Sequence, residues 1–152
     1  MGDICDMSAC EIAAAVQSKR LSAAEVTDAH LQRIATVNPK TNAVVEELGD
    51  EARDAARRVD DMVARGEPVG PLTGVPVTVK VNVDQAGHAS TNGLRTLKDA
   101  IAKDDNPVVT NLKKAGGVVI GRTNTPAVSL RWFTKNDLHG QTLNPHNKAI
   151  TP

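Results

Sequence analysis

The chain of 152 residues carries no net charge, because 18 lysines and arginines balance 18 aspartates and glutamates. It therefore lacks the excess of positive charge that attracts proteins to nucleic acids or anionic membranes. With one tryptophan, one phenylalanine and no tyrosine, it also lacks the aromatic platforms of single-strand nucleic-acid binders. We expect neither a nucleic acid nor a membrane as partner.

The positions of the cysteines and histidines argue against a redox site or a metal site. The spacing of Cys5 and Cys10 differs from the Cys-x-x-Cys of redox and zinc sites. The four histidines have no metal-ligand spacing, so we expect no metal and no other cofactor. Acids stand near the N-terminus where a secretory signal has basic residues, and no long apolar run follows. The sequence predicts a cytoplasmic protein with free thiols.

Helical spacing of apolar residues predicts three helices before residue 70. Ser8 can cap the first helix, and Ser22 with Glu25 has the capping-box form for the second, which is predicted to end at Asn38-Pro39. Gly66 can end the third helix in a left-handed cap. The predicted elements are helices over 8–18, 22–38 and 50–65, and a short strand over 43–48.

The clearest strand is predicted over 76–84, where apolar and polar residues alternate strictly. Its two faces carry Val77, Val79, Val81 and Val83, and Thr78, Lys80, Asn82 and Asp84. Residues 85–103 are predicted to be a loop with a possible short helix.

A further helix and strand follow that loop. Asn106-Pro107 opens the helix, in which Val108, Val109, Leu112 and Ala115 are predicted to lie together, and Gly116-Gly117 closes it. The apolar run 118–120 predicts a short strand. Asn124-Thr125-Pro126 then has the form of a cap followed by proline at the first position of another helix.

This alternation predicts an α/β fold, in which N-terminal helices precede part of a mixed sheet flanked by helices. Only three or four strands are visible, which is few for a stable sheet. We therefore expect the fold to be incomplete. The predicted division is an N-terminal helical segment, 1–69, and the first part of an α/β domain, 70–152.

Lys80 is the first candidate for chemistry, since it lies in the middle of the predicted strand. A lysine held in a partly desolvated strand can lose its proton, and its neutral amine can then act as a base. An amphipathic strand with a lysine on its solvent-exposed face is also common. The alternating pattern by itself leaves both interpretations open.

Three stretches resemble one known family. They are Gly70-Pro-Leu-Thr-Gly-Val-Pro-Val-Thr-Val-Lys80, Ala115-Gly-Gly-Val-Val-Ile-Gly-Arg-Thr-Asn-Thr-Pro126 and His139-Gly-Gln-Thr-Leu-Asn-Pro145. Together they are similar to the amidase signature family, and the resemblance covers residues 70–152. It implies an incomplete amidase signature fold and an amide hydrolase as the function.

The resemblance also implies a catalytic set of a lysine, a serine in a cis peptide bond and a nucleophilic serine. Lys80 matches the lysine. The two serines belong to a glycine- and serine-rich signature expected directly after Thr151-Pro152, so the chain is expected to need a serine-bearing C-terminal half and to be inactive alone. Many family members have an acid directly after the lysine, whereas Val81 stands there in this chain.

Residues 80–84, 91–93 and 129–133 look more like the indoleacetamide hydrolase and general amidase branch. That branch points to a small aryl or alkyl amide as substrate. The segment after Pro126 lines the acyl pocket in the family, which makes Ser129, Leu130 and Trp132 the candidate substrate contacts. The alternative is that Leu130 and Trp132 belong to the core of a helix.

Two further functions stay open at this point. One is an inactive fragment that acts as an interaction or assembly module, with exposed sheet edges that favour self-association into a homo-oligomer. The other is the amidotransferase branch of the same family, whose members are subunits of a larger enzyme.

Overall fold

The computed structural model describes residues 3–152. Met1 and Gly2, at the start of the predicted helical segment 1–69, lie outside the described residues. The principal elements are α1 (Ala9–Gln17), α2 (Ala23–Thr41), β1 (Val44–Glu47), α3 (Gly49–Arg65), β2 (Pro76–Lys80), α4 (Pro107–Lys114), β3 (Val118–Thr123), β4 (Lys135–Asn136) and β5 (Gly140–Gln141).

The strands form two sheets. One has three strands in the order β1, β3, β2, and the other pairs β4 with β5. Helices combined with a small mixed sheet confirm the predicted α/β class. Within residues 3–152, no helix has the length and apolar character needed to cross a bilayer.

The chain forms two compact units. The first comprises residues up to 34 together with 48–78 and 110–120. Its core is aliphatic, as the low aromatic content requires, and includes Ile12, Val16, Val26, Val75 and Ile120.

Helix ends in the first unit follow the predicted chemistry. Ser8 and Glu11 form a complete capping box at the start of α1, and Ser22 and Glu25 bond reciprocally before α2. Gly66 ends α3 with a φ of 69°, in the left-handed region. A contact from α3 adds to the second cap, because the Asp60 carboxylate accepts hydrogen bonds from the amides of residues 23 and 24.

The second unit comprises residues 35–47, 79–109 and 121–152. In it β1 pairs antiparallel with β3, so that Glu46 lies opposite Arg122 and Glu47 opposite Gly121. A Cβ at position 121 would meet Val44 Cγ1 at 2.7 Å, and only glycine lets the two strands approach this closely. The predicted division into 1–69 and 70–152 stays a prediction.

The predicted end of α2 at Asn38-Pro39 is wrong, because the helix continues through Pro39 to Thr41. Pro39 lies in the last turn, and the side chain of the neighbouring Asn38 binds the backbone that follows the helix. Asn38 Oδ1 accepts from the amides of residues 43 and 44, both at 2.9 Å. The helix ends at Thr41, and Asn42 follows it with a φ of 51°.

The ends of two strands and the exposure of one helical residue also differ from prediction. β2 ends at Lys80 instead of residue 84, because a turn begins there and the amide of Val83 donates to the Lys80 carbonyl. β3 extends past Ile120 to Thr123. In α4, Val109 is buried as predicted but Val108 faces solvent. Helix α4 itself begins at Pro107 and is followed by Gly116, as expected.

Candidate active site

Lys80 is the last residue of β2 and is half-buried. Its neighbours Val79 and Val81 are buried, so the alternating pattern places the lysine on the opposite face. Within residues 3–152 the ammonium group forms neither a hydrogen bond nor an ion pair. A half-buried amine without a carboxylate partner is available for proton transfer to a further group.

Valine at position 81, where many family members have an acid, has a structural reason. Val81 is 1% exposed, and its amide donates to the Thr123 carbonyl at 3.0 Å. A carboxylate at this position would have to be desolvated, whereas valine packs there without cost. The change therefore leaves the position of Lys80 intact.

Ser129 lies in a three-residue 3-10 turn, Ala127–Ser129, and bonds to two polar side chains. Asn82 Nδ2 donates to Ser129 Oγ at 3.0 Å, and Thr125 Oγ1 lies 2.8 Å from the same oxygen. Thr125 is fully buried and holds the exposed serine in place. Asn82 follows Lys80 by two residues, so this contact joins the turn after the lysine to the serine's turn.

The backbone of this turn is strained. Val128 has a φ of 55° and Ser129 a φ of 58°, a left-handed conformation that is unfavourable for a β-branched residue. The helix predicted to begin at Pro126 is therefore wrong, since only a 3-10 turn forms. Such strain is common at functional sites, where surrounding contacts maintain it.

Leu130 and Trp132 are exposed by 82% and 98%. The alternative that they belong to a helix core is wrong, because the segment does not form an α-helix and turns both side chains to solvent. The prediction that Ser129, Leu130 and Trp132 contact substrate stays a prediction.

A buried amide network supports Thr125, and the sequence analysis missed it. Asn136 Nδ2 donates to Asn124 Oδ1 and to the Thr125 carbonyl, both at 2.7 Å. Asn124 Nδ2 donates in turn to Thr142 Oγ1 at 3.1 Å. The only sequence signal was the number of Asn and Thr residues in this region, which also suits exposed turns.

Arg122 is the second missed residue. It is 0% exposed and forms an ion pair with Glu46 at 3.2 Å. Its other guanidinium contacts are to the carbonyls of Ala89 at 2.7 Å and Val83 at 2.9 Å. Val83 belongs to the turn after Lys80, so Arg122 fixes the loop that follows the lysine.

Two histidines complete this polar region. His88 Nδ1 lies 2.7 Å from Glu46 Oε1, and His139 Nε2 lies 3.1 Å from Thr91 Oγ1. Burial lowers the pKa of His139 below its usual value. The nearby Glu46 carboxylate opposes this shift in pKa, and the Arg122 guanidinium adds to it. Over residues 3–152, His, Cys, Asp and Glu side chains form no group of three able to hold a metal ion.

Comparison with known proteins identifies the family to which this sequence belongs. Residues 25–152 match the amidase family, a range that includes Lys80, Arg122 and Ser129. The chain belongs to the amidase signature family.

Curated relatives in this family align along almost the whole chain. An indoleacetamide hydrolase of Bradyrhizobium diazoefficiens is 51% identical over 99% of the chain. A glutamyl-tRNA(Gln) amidotransferase subunit from Acidothermus cellulolyticus is 38% identical over 100% of it.

A solved structure of the family agrees with the fold. A bacterial aryl acylamidase of the amidase signature family superposes with a TM-score of 0.90 over 95% of the chain, at 36% identity. The chain spans 29% and 30% of the two curated relatives and 30% of the acylamidase. The predicted resemblance to the amidase signature family is thus confirmed.

Proposed function

We propose that this amidase signature chain serves in the hydrolysis of an amide to a carboxylate and ammonia, with Lys80 as the base of a Ser-cisSer-Lys mechanism. One observation carries the proposal. Lys80 ends β2 half-buried, between two buried valines and without a carboxylate partner in residues 3–152. A general base must exchange its proton with a neighbouring group, and a lysine without a carboxylate partner is free to do so.

In the proposed reaction, neutral Lys80 accepts a proton through the bridging cis serine, and the nucleophilic serine attacks the amide carbonyl. The carbon–nitrogen bond breaks, the proton passes to the nitrogen, and ammonia leaves behind an ester of the serine. Water then attacks the ester and releases the acid and the free serine. Both serines are proposed to lie in residues other than these 152, so that the 152 residues alone are inactive.

We propose a linear, non-peptide aryl or alkyl amide as the small-molecule substrate. The 51% identity to an indoleacetamide hydrolase supports this class. The exposed Leu130 and Trp132 offer apolar surface to such a molecule, and Ser129 offers a hydroxyl. The proposed setting is the cytoplasm, in keeping with free Cys5 and Cys10, and no cofactor is required.

Reconstitution tests the proposal. The 152-residue chain is combined with a downstream segment that carries the two serines, and ammonia release from indoleacetamide is measured. We expect no release by the chain alone and release by the combination. Replacement of Lys80 by alanine should lower turnover by about 10²–10⁴-fold, the usual contribution of a general base.

Two further substitutions test whether the loss of turnover is specific to the amine of Lys80. Lys80→Arg keeps the charge but supplies a group that does not give up its proton, so it should be as inactive as Lys80→Ala. Lys103→Ala removes an exposed lysine of the same unit and should leave turnover unchanged. Normal turnover by Lys80→Ala would remove Lys80 from the mechanism.

A second candidate function is a role in an amidotransferase, supported by the 38% identity to a subunit of the glutamyl-tRNA(Gln) enzyme. Amide formation from ammonia and an activated acyl acceptor, with simple amides left intact, would favour it. A third candidate is an assembly module. The exposed side chains of Leu130 and Trp132 support it, and it predicts homo-oligomers by sedimentation and no recovery of hydrolysis on reconstitution.

A further inference from the structure

The second unit contains a cavity of about 480 Å³, lined in part by the segment that carries the candidate substrate contacts Ser129, Leu130 and Trp132. Residues 93–96 line one part, and residues from 127 to 137 line the rest. Both segments belong to the second unit. The volume lies within the range of small-molecule sites, roughly 300–1,000 Å³.

Positive charge dominates the lining. Arg95, Arg131 and Lys135 contribute three cations, and Asp137 contributes the one carboxylate. In residues 3–152 none of these three cations forms an ion pair with an acid. Three unpaired cations around one concavity raise the local concentration of anions.

The two arginines are held by contacts that leave guanidinium donors free. Arg95 Nε donates to the Asp137 carbonyl at 2.9 Å, which fixes the side chain without neutralising it. The Arg131 guanidinium carbon lies 5.7 Å from the centre of the Phe133 ring, within the reach of a cation–π contact. A guanidinium held in this way loses less freedom when it binds a carboxylate through two parallel hydrogen bonds.

The uncharged lining combines the apolar side chains of Leu94, Ala127 and Phe133 with the polar side chains of Thr96 and Asn136. An inorganic anion would gain nothing from the apolar side chains, whereas an organic acid can place its carbon skeleton against them. We propose that this cavity binds a small organic carboxylate with an apolar or aromatic body. The proposal concerns binding alone and does not depend on amide hydrolysis.

Calorimetric titration of the 152-residue chain with sodium phenylacetate tests the proposal. Phenylacetamide has the same shape without the charge, and inorganic phosphate has charge without the apolar body. We expect saturable binding of phenylacetate, about tenfold tighter than that of either comparison compound, since a charge-assisted contact contributes about 1.4 kcal/mol or more. Added salt should weaken the binding, because the lining charges are exposed.

Substitutions then locate the site. Lys135→Gln and Arg131→Gln should each weaken phenylacetate binding about fivefold, since each removes one exposed cation. Asp137→Asn should strengthen binding, because it removes the opposing carboxylate and keeps the backbone carbonyl that holds Arg95. Lys148→Gln removes an exposed cation outside the lining and should have no effect.

Three outcomes would overturn the proposal. Equal affinity for phenylacetate and phenylacetamide would show that charge is not recognised, and equal competition by phosphate would show that the apolar body is not recognised. Unchanged affinity in Lys135→Gln and Asp137→Asn would move the site elsewhere. Both residues are exposed, and circular dichroism of the variants checks that their fold is retained.

Discussion

Asn82 Nδ2 and Ser129 Oγ lie 3.0 Å apart although 47 residues separate them in sequence. The bond joins the turn that follows Lys80 to the strained turn that exposes Leu130. It is one of two side-chain bonds made by Ser129, the other being to Thr125. The loop after the lysine and the candidate substrate-contact segment therefore constrain each other within the second unit.

The first prediction measures this coupling. Asn82→Ala and Ser129→Ala should each lower the free energy of unfolding by about 1 kcal/mol, the usual value for one hydrogen bond. The double variant should be less destabilised than the sum by about 0.5–1 kcal/mol, because the shared bond can be lost only once. Urea unfolding measures all three. Asn82→Ala combined with Ser8→Ala, whose hydroxyl bonds to Glu11 and not to Ser129, should be additive. Additivity in the 82/129 pair would contradict the coupling.

Backbone strain at Val128 gives a second prediction. Glycine adopts a φ of 55° freely, and Val128 is half-exposed and loses little packing, so Val128→Gly should raise the free energy of unfolding by about 0.5–1 kcal/mol. Val108→Gly serves as the matched control. Val108 is exposed in regular helix α4, and the same substitution should there cost about 0.5 kcal/mol, the difference between the helix propensities of valine and glycine. Destabilisation by both variants would mean that residue 128 carries no strain.

The third prediction concerns the buried Arg122. Arg122→Met removes the guanidinium partner of the Glu46 carboxylate, which keeps its contact with His88, and leaves the carbonyls of Val83 and Ala89 without their side-chain donor. The loss should cost about 3–5 kcal/mol of stability. Thermal and urea unfolding measure the loss. Arg57 pairs with Asp54 on the surface, and Arg57→Met should change stability by no more than about 0.5 kcal/mol. Equal small effects at both positions would contradict the role of Arg122.

The fourth prediction is a pH dependence that arises from His139. Because burial lowers its pKa in the folded protein, the unfolded chain binds a proton more readily. The contribution to stability is therefore complete above about pH 6.5, the unperturbed value, and is lost as the pH falls below it. The imidazole should titrate below 6.5 by NMR. His139→Gln should flatten the stability profile in this window, and titration of His139 above 6.5 would contradict the sign.

Local chemistry made the helix ends of the first unit predictable. The pairs Ser8 with Glu11 and Ser22 with Glu25 each lie within four residues of chain, so their bonds do not depend on the rest of the fold. Pro39 was misleading for the same reason. A local rule ends the helix there, but the helix continues to Thr41, and the side chain of Asn38 accepts hydrogen bonds from the backbone amides that follow it.

The candidate site was predictable only where a motif named a residue. The assignment of Lys80 as the base came from the family resemblance. Alternation alone does not distinguish a catalytic lysine from an ordinary solvent-exposed one. The Glu46–Arg122 pair depends on the antiparallel register of β1 and β3, which a one-residue shift would abolish. The amide network around Thr125 likewise joins the segment that follows β3 to the β4–β5 hairpin, and no short sequence window contains both ends.

Trp132, 98% exposed, is the one tryptophan in a chain without tyrosine. Its fluorescence therefore originates at a single known position, between Arg131 and Phe133, and needs no label or spectral separation. An indole this open to water should emit at long wavelength and be quenched readily by acrylamide. Any molecule that covers the segment, whether a serine-bearing half, a second copy or an amide, should shift the emission to shorter wavelength and protect it from the quencher.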